Sequence, residues 1–294
     1  MDLLIPAYNV KDFLPALIES ARQQTTPFGE IIVYDDASGD GTADVAESLG
    51  ATVIRGTANR GPAFARNRLL EAASGDLVHL HDSDDTFFHP RFVEIMSSIA
   101  DPSTAAVCTW KMVGKDGQER TFTYDDVDDW TAFFINHYAH LNAVVYPRAF
   151  LIEHGGFDED LIQCDELLMT ATMAANGLDF QYTDEVYALH ERRDGSLIDE
   201  VAPVEAHDWA LRMCDRLLDR LSPVYHETVA RKALYHTVAL YQHQADDDLL
   251  HRGRSLIKRG GLRSIDSHGR VVSLISRILG VGPALQYIAR NTNA

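Results

Sequence analysis

Short apolar runs and helical stripes alternate along the first half of the chain. Leu3 to Ile5 is a buried-type run stopped by Pro6, and Phe13 to Arg22 repeats apolar residues at 13, 14, 17, 18 and 21. Glu30 to Tyr34 is a second apolar run, so the first 35 residues read as strand, helix, strand, a parallel βαβ unit. Ala43 to Leu49 predicts a helix, Thr52 to Ile54 a strand, and apolar positions 63, 64, 69, 70 and 73 a helix starting near Gly61. Asp76 to Leu80 predicts the fourth strand.

Farther on the periodicity predicts a helix over Phe92–Ile99 and strands over Ala105–Met112 and Arg120–Tyr124. An acidic helix start at Asp125–Asp129 leads to Trp130–Ile135, where Trp130 and Phe134 have core spacing. Apolar positions 167, 168, 171, 174 and 175 give a helix closed by Gly177, and strands follow over Asp179–Tyr182 and Glu185–Leu189. Residues 204–221 and 226–250 read as two helices, the second ending on the acidic run Asp246–Asp248. The fold class expected is therefore α/β, a mixed sheet flanked by helices with a helical C-terminal extension.

A chain of 294 residues, 46% hydrophobic, can bury a full core. Its formal charge of -18 excludes a general nucleic-acid binder, which needs basic surface. Residues 249 to 294 reverse the sign, with eight Lys or Arg against one acid, Asp266. The segment Val271–Ala289, with Arg270, Arg277 and Arg290, predicts either a peripheral contact with an anionic membrane surface or packing on this or a second subunit as a homodimer. Cys108, Cys164 and Cys214 have neither disulfide-framework nor zinc-site spacing. With no leader and no run of about 18 apolar residues, the expectation is a cytoplasmic protein, peripheral at most at the inner face of a membrane.

The candidate chemistry lies where the strands end, as in open α/β sheets. Asp82-Ser83-Asp84-Asp85 follows the fourth strand; on an extended backbone Asp82 and Asp84 would share a face with Cα atoms about 6.6 Å apart. Two carboxylates so placed suit Mg²⁺ or Mn²⁺ sharing ligands with substrate phosphates, although an acidic turn alone has the same composition. Asp35-Asp36-Ala-Ser38-Gly39-Asp40-Gly41-Thr42 follows the second strand and lacks the glycine spacing of a phosphate loop. Its acids can accept from a ribose hydroxyl or a base N–H, while Asp40 or Thr42 suits a helix cap. Arg66 suits a phosphate or a carboxylate such as Asp35.

Taken together, Ile-Pro-Ala-Tyr-Asn at 5–9, the acidic loop at 35–42, Asn-Arg-Gly with Ala-Arg-Asn at 59–67 and Asp-Ser-Asp-Asp at 82–85 resemble the family 2 glycosyltransferases of the GT-A fold. The resemblance covers about residues 1–198, leaving 199–294 as the helical extension. It implies an inverting transfer from a nucleotide diphosphate sugar, a UDP-sugar first, to a glycan or lipid-linked acceptor in polysaccharide, lipopolysaccharide or other glycoconjugate synthesis. It implies that Pro6, Ala7, Tyr8, Asn9, Asp35, Asp36, Asn59, Gly61, Arg66, Asp82 and Ser83 hold the donor, and that Asp82 and Asp84 form the metal-binding element for Mn²⁺ or Mg²⁺.

Gly155-Gly156-Phe157-Asp158-Glu159 followed by Asp165-Glu166 resembles the family's element carrying the general base. The acidic pair is in reversed order, so Glu166 occupies the catalytic position and Asp165 stays an alternative. His190, three residues after Tyr187, matches a further metal ligand. The Arg usual after that aromatic is Ala188 here, with Arg192 and Arg193 nearby, and Tyr34 stands where the family has a small or acidic residue. A non-catalytic sugar-nucleotide binder or scaffold, and more remotely a nucleotidyltransferase, are the competing readings.

Overall fold

The computed structural model describes residues 1–192, 201–243 and 245–262. The chain divides into two compact units, one of residues 1–130 and 138–196, the other of 131–137 and 197 onward. In the first unit β1 (Asp2–Ala7), α1 (Leu14–Arg22), β2 (Ile31–Asp35), α2 (Thr42–Ser48), β3 (Thr52–Arg55), α3 (Pro62–Ala72) and β4 (Leu77–Leu80) alternate without interruption. The apolar runs of β1 and β2 carry no polar alternation because both faces are covered. Leu3, Ile5 and Val33 are fully buried against Leu14, Leu17 and Ala46 of the helices.

After α4 (Phe92–Ile99) the sheet changes direction. It is completed by β5 (Thr104–Val113), β6 (Glu119–Phe122), β7 (Val144–Pro147) and β8 (Asp179–Glu191), with α6 (Arg148–Glu153) and α7 (Asp165–Ala175) between β7 and β8. The order is β3-β2-β1-β4-β7-β5-β6, with β8 alongside β5. Pairs among β1 to β4 are parallel, β7 runs antiparallel to β4 and β5, and β8 is parallel to β5. The two strands expected over 179–189 are one. Register shifts on either side of Thr109 let a single strand bend past Asp184 without breaking.

The second unit contains residues 131–137, which take in α5 (Trp130–Asn136) from Thr131 onward, and the helices α8 (Pro203–Arg220), α9 (His226–Gln242) and α10 (Asp247–Arg259). The expected helix over 226–250 is two. Asp246 starts α10 rather than ending its predecessor, accepting from Leu249 N–H at 2.9 Å, and Asp247 and Asp248 fill the first turn, where the helix dipole favours acids. No described helix is long and apolar enough to cross a membrane. Val271–Ala289 with Arg270, Arg277 and Arg290, together with Arg193, lies outside the described residues.

Candidate active site

The loops after β1, β2 and β4 meet beyond the carboxyl ends of parallel strands. Asn9, in the left-handed region at φ 54°, donates its N–H to Ser38 Oγ at 2.8 Å and accepts from Gly39 N–H at 2.9 Å. Thr42 Oγ accepts from Val10 N–H, and Asp40 accepts from Lys11 and Thr42 N–H. Asn9, Ser38, Asp40 and Thr42 thus lace two loops together; the cap position of α2 is Gly41, with no side-chain cap bond, and Asp40, one residue earlier, accepts from Thr42 at the first turn.

Asp35 and Asp36 are both buried but differ in employment. Both oxygens of Asp36 accept from Arg60 N–H, and Oδ2 accepts from Gly61 N–H at 2.7 Å, so this carboxylate caps α3 from a neighbouring strand. Asn59 Oδ1 also takes Gly61 N–H, at 3.1 Å. Gly61 enters the helix at φ 89°, where an L side chain would be strained. Asp35 Oδ1 is buried with no hydrogen-bond partner among the described residues. Tyr8 is 48% exposed beside the buried Ala7, and Pro6 is half-buried. A buried orphan acceptor near an exposed aromatic ring suits a ligand that brings its own N–H or O–H donor.

Arg66 does not meet Asp35. Buried at 5% exposure, its guanidinium reaches Glu166 at 2.6 Å, Asp165 at 2.8 Å and Asp82 at 3.3 Å. One cation therefore faces three carboxylates. Burial pushes the Glu166 carboxyl up to about 7; Arg66 opposes this, while Asp82 and Asp165 add to it. Asp165 is raised as well, by burial against the pull of Arg66. Tyr138 donates its hydroxyl to Glu166 Oε2. Asn67, one residue beyond Arg66, anchors the segment leading to α7 by donating to the Phe157 carbonyl and Glu159 and accepting from Phe157 N–H. Gly156 is required there: at φ 58°, a Cβ would stand 2.6 Å from Asn67 Oδ1.

The 82–85 segment is not extended. It folds as a turn closed by Asp85 N–H to the Asp82 carbonyl, because Asp and Ser side chains favour turns and Asp82 N–H is held by Asn142 Oδ1 at 2.9 Å. The face shared by Asp82 and Asp84 on an extended strand is therefore replaced by a different pairing. Asp85 accepts from Asn142 Nδ2 and bonds His190 Nδ1, each at 2.8 Å. Asp85, His140 and His190 have donor atoms within 4.8 Å of one another, and among the described residues they form the set geometrically able to hold a metal. His190 thus joins Asp85 and His140 rather than Asp82 and Asp84.

Asp82 stands on the Arg66 side, with His140 Nε2 3.7 Å away, and Ser83 and Asp84 are half-buried in the turn. Burial would raise Asp82, but His140, Arg66 and His190 hold it below the usual carboxylate range; Asp84 is raised, by burial and by Asp82 and Asp85. The donor set of one carboxylate and two imidazoles fits Mn²⁺ supplemented by substrate oxygens better than Mg²⁺, which favours oxygen ligands. Bonding of His190 Nδ1–H to a carboxylate is also how a metal-bearing imidazole is commonly oriented.

Asp85 and Asn142 carried no separate sequence signal as site residues, since both act through contacts made across the fold. Tyr138 and His140 belong to an aromatic and histidine cluster visible in the sequence, but nothing local tied it to the acids.

A family model described as Glycosyl transferase family 2 matches residues 2–157. The putative teichuronic acid biosynthesis glycosyltransferase TuaG of Bacillus subtilis is 29% identical over 140 residues, 43% of this chain and 56% of that protein. The chain thus spans little more than half the length of that relative. Staphylococcus aureus TarS, residues 1–349 with UDP-GlcNAc, superposes with a TM-score of 0.76 at 19% identity, covering 99% of this chain and 91% of that one. The mannosyltransferase PcManGT of Pyrobaculum calidifontis, with GDP-Man and Mn²⁺, gives 0.61 at 16% identity over 99% and 79%. These two likenesses establish the GT-A fold.

Proposed function

The chain belongs to glycosyl transferase family 2, and from that premise we propose that it transfers a sugar, with inversion, from a nucleoside diphosphate sugar to an acceptor hydroxyl in glycan synthesis. A UDP-sugar is the donor we favour, since TarS, which shares the fold, carries UDP-GlcNAc. The observation that carries the reading is the cluster in which Arg66 gathers Asp82, Asp165 and Glu166 beside the 82–85 turn.

Glu166 is the general base in this proposal. A carboxyl lifted to about 7 stands near neutrality, where a base is most effective. Asp165 is more deeply buried and turns Oδ2 to Arg66, whereas Glu166 also meets Tyr138, which is 40% exposed. As the acceptor oxygen attacks the anomeric carbon, its proton passes to a Glu166 carboxylate oxygen and the diphosphate departs from the opposite face. Asp35 Oδ1 accepts from the base, Tyr8 packs on it, and Asp36 acts indirectly by fixing Arg60 and Gly61. Asp85, His140 and His190 would hold a divalent cation, which would supply charge neutralisation for the departing diphosphate.

The test is calorimetric titration with UDP, GDP and their common sugar conjugates, with and without Mn²⁺, followed by assay of sugar release or transfer. Metal-dependent binding of one nucleotide, weakened by Asp35→Ala, is expected. Ala188, in place of the usual Arg, favours the rival reading of a non-catalytic binder: binding without turnover under any acceptor would establish it. Absence of nucleotide binding in every condition would defeat both.

A further inference from the structure

His140, Asn142 and the 82–85 turn are tied by hydrogen bonds whose directions are fixed. His140 caps the short helical turn Leu141–Ala143, its Nδ1 accepting from Asn142 N–H at 3.3 Å. A backbone N–H can only donate, so this bond assigns the His140 ring as neutral with its hydrogen on Nε2. That nitrogen stands 3.7 Å from Asp82 Oδ2. The Asn142 side chain is as firmly oriented. Its Oδ1 accepts from Asp82 N–H at 2.9 Å, which leaves Nδ2 to donate to Asp85 Oδ2 at 2.8 Å. His140 and Asn142 are both buried, where a polar group that loses its partner is costly.

The two imidazoles are not equally ready for an ion. His190 turns Nδ1 to Asp85 Oδ2 at 2.8 Å; the carboxylate oxygen accepts, so the neutral ring keeps a lone pair on Nε2. His140 offers no such lone pair. Its Nδ1 is taken by Asn142 N–H, and its Nε2 carries the hydrogen. Ligation through Nδ1 would displace the Asn142 N–H directly. Ligation through Nε2 would move the ring hydrogen, by way of solvent, onto Nδ1, where it would point at the Asn142 N–H; the ring stays neutral and no net proton is released. Either route breaks the bond between His140 and Asn142.

We propose that Asn142 is a positioning residue through which cation loading at His140 is felt by Asp82. The inference rests on the reading that Asp85, His140 and His190 hold a divalent cation. Loading uncaps the turn Leu141–Ala143, and the Asn142 amide then lets go of the Asp82 N–H. Asp82 is the member of the 82–85 turn that reaches Arg66, at 3.3 Å, and Arg66 holds Glu166 at 2.6 Å. A latch of two hydrogen bonds thus joins the cation ligands to the flank that carries the acids.

The experiment follows the full chain, isotope-labelled on backbone and histidine nitrogens, by NMR, first with EDTA and then with Zn²⁺ as a diamagnetic probe, with calorimetry of Zn²⁺ and Mn²⁺ binding beside it. His140→Gln identifies the His140 signals. With EDTA, His140 should show a protonated Nε2 and a bare Nδ1. With saturating Zn²⁺ that pattern should reverse or Nδ1 should become the ligand, and amide exchange at Asn142 and Asp82 should quicken about tenfold as each loses a hydrogen bond. In Asn142→Ala the residue 82 amide should already exchange fast and no longer answer to Zn²⁺, while the residue 142 amide still does; a merely structural Asn142 would leave the response at Asp82 in place. The wild-type signals decide the matter if that variant does not fold. A hydrogen on Nδ1 under EDTA, Zn²⁺ bound with the His140 ring and the Asn142 amide unmoved, or an undiminished response of Asp82 in Asn142→Ala would each overturn the latch alone. Failure of both ions to bind would remove the cation reading and the latch together.

Discussion

The turn at Asp82–Asp85 has two flanks, and they solve the problem of buried negative charge differently. On one side Asp82 joins Asp165 and Glu166 around the guanidinium of Arg66, so the compensating cation is part of the chain. On the other, Asp85 is surrounded by neutral or titratable donors, Asn142, His190 and Glu191 N–H. Its neighbour His140 is pulled down to about 4 by burial, leaving that imidazole uncharged at neutral pH. A flank with a built-in cation is suited to holding and tuning a proton, whereas a flank where a carboxylate and two imidazoles converge is suited to receiving an ion. A turn of four residues, Asp82 to Asp85, thus separates two kinds of chemistry.

Glu166→Gln should have the largest effect if the Arg66 flank is the proton-handling one. A positioned base contributes typically about 10² to 10⁴ in rate, so transfer should fall by that order while nucleotide affinity stays near wild type by calorimetry. Asp165→Asn should cost less. Full turnover in both variants would remove the base from this flank. Next is stability: Arg66→Met removes the buried cation from three carboxylates, of which Asp165 is buried and Asp82 and Glu166 are partly so, a loss of about 3–5 kcal/mol when a buried partner is removed. Urea titration at pH 7 measures it. The deficit should shrink toward pH 5, where the carboxyl of Glu166, raised to about 7, becomes neutral; an equal deficit at both pH values would contradict the clamp.

The other flank is probed by His190→Ala and Asp85→Asn. Loss of a ligand or of the group that orients it typically costs about 10–100-fold in metal affinity, so Mn²⁺ binding with UDP present should weaken by that factor in both, and much less in Glu166→Gln. Equal loss in all three would erase the distinction between the flanks.

Much of this arrangement was legible in the sequence, for a physical reason. Buried parallel strands read as unbroken apolar runs, and ligands gather where such strands end, so Leu3–Ile5 announced the sheet, and Asp35-Asp36 and Asp82–Asp85 marked the strand ends where its candidate site lies. The reversed pair Asp165-Glu166 was likewise placed at the start of its helix. What stayed hidden depends on distant contacts. Asp36 looks like a ligand residue by its neighbours, yet its oxygens are spent on Arg60 and Gly61. The turn of 82–85 is fixed by Asn142, about 60 positions on, and no local pattern marks an asparagine for that role. Asp246 misled in the opposite way: an acidic run can end one helix or start the next, and only its bond to Leu249 decides.

The finest test lies within the Arg66 flank and concerns Tyr138. Glu166 ordinarily titrates near 4.5 and here is raised to about 7 by burial, with the Tyr138 hydrogen bond acting against the rise. A base must be ionised, so transfer should increase with pH through an acidic limb near 7. Folding stability runs the other way: a carboxyl raised in the folded state is most stabilising below 4.5, and that contribution is lost as pH climbs through 7. Tyr138→Phe deletes the donor that favours the charged form, so the acidic limb should move upward in pH while the plateau rate changes only severalfold. Aromatic packing of residue 138 on Trp110 and His140 survives in Phe, which separates the hydroxyl from the ring. A limb that stays in place would mean the hydroxyl does not tune Glu166, and the proton-handling role of this flank would rest on Arg66 and burial alone.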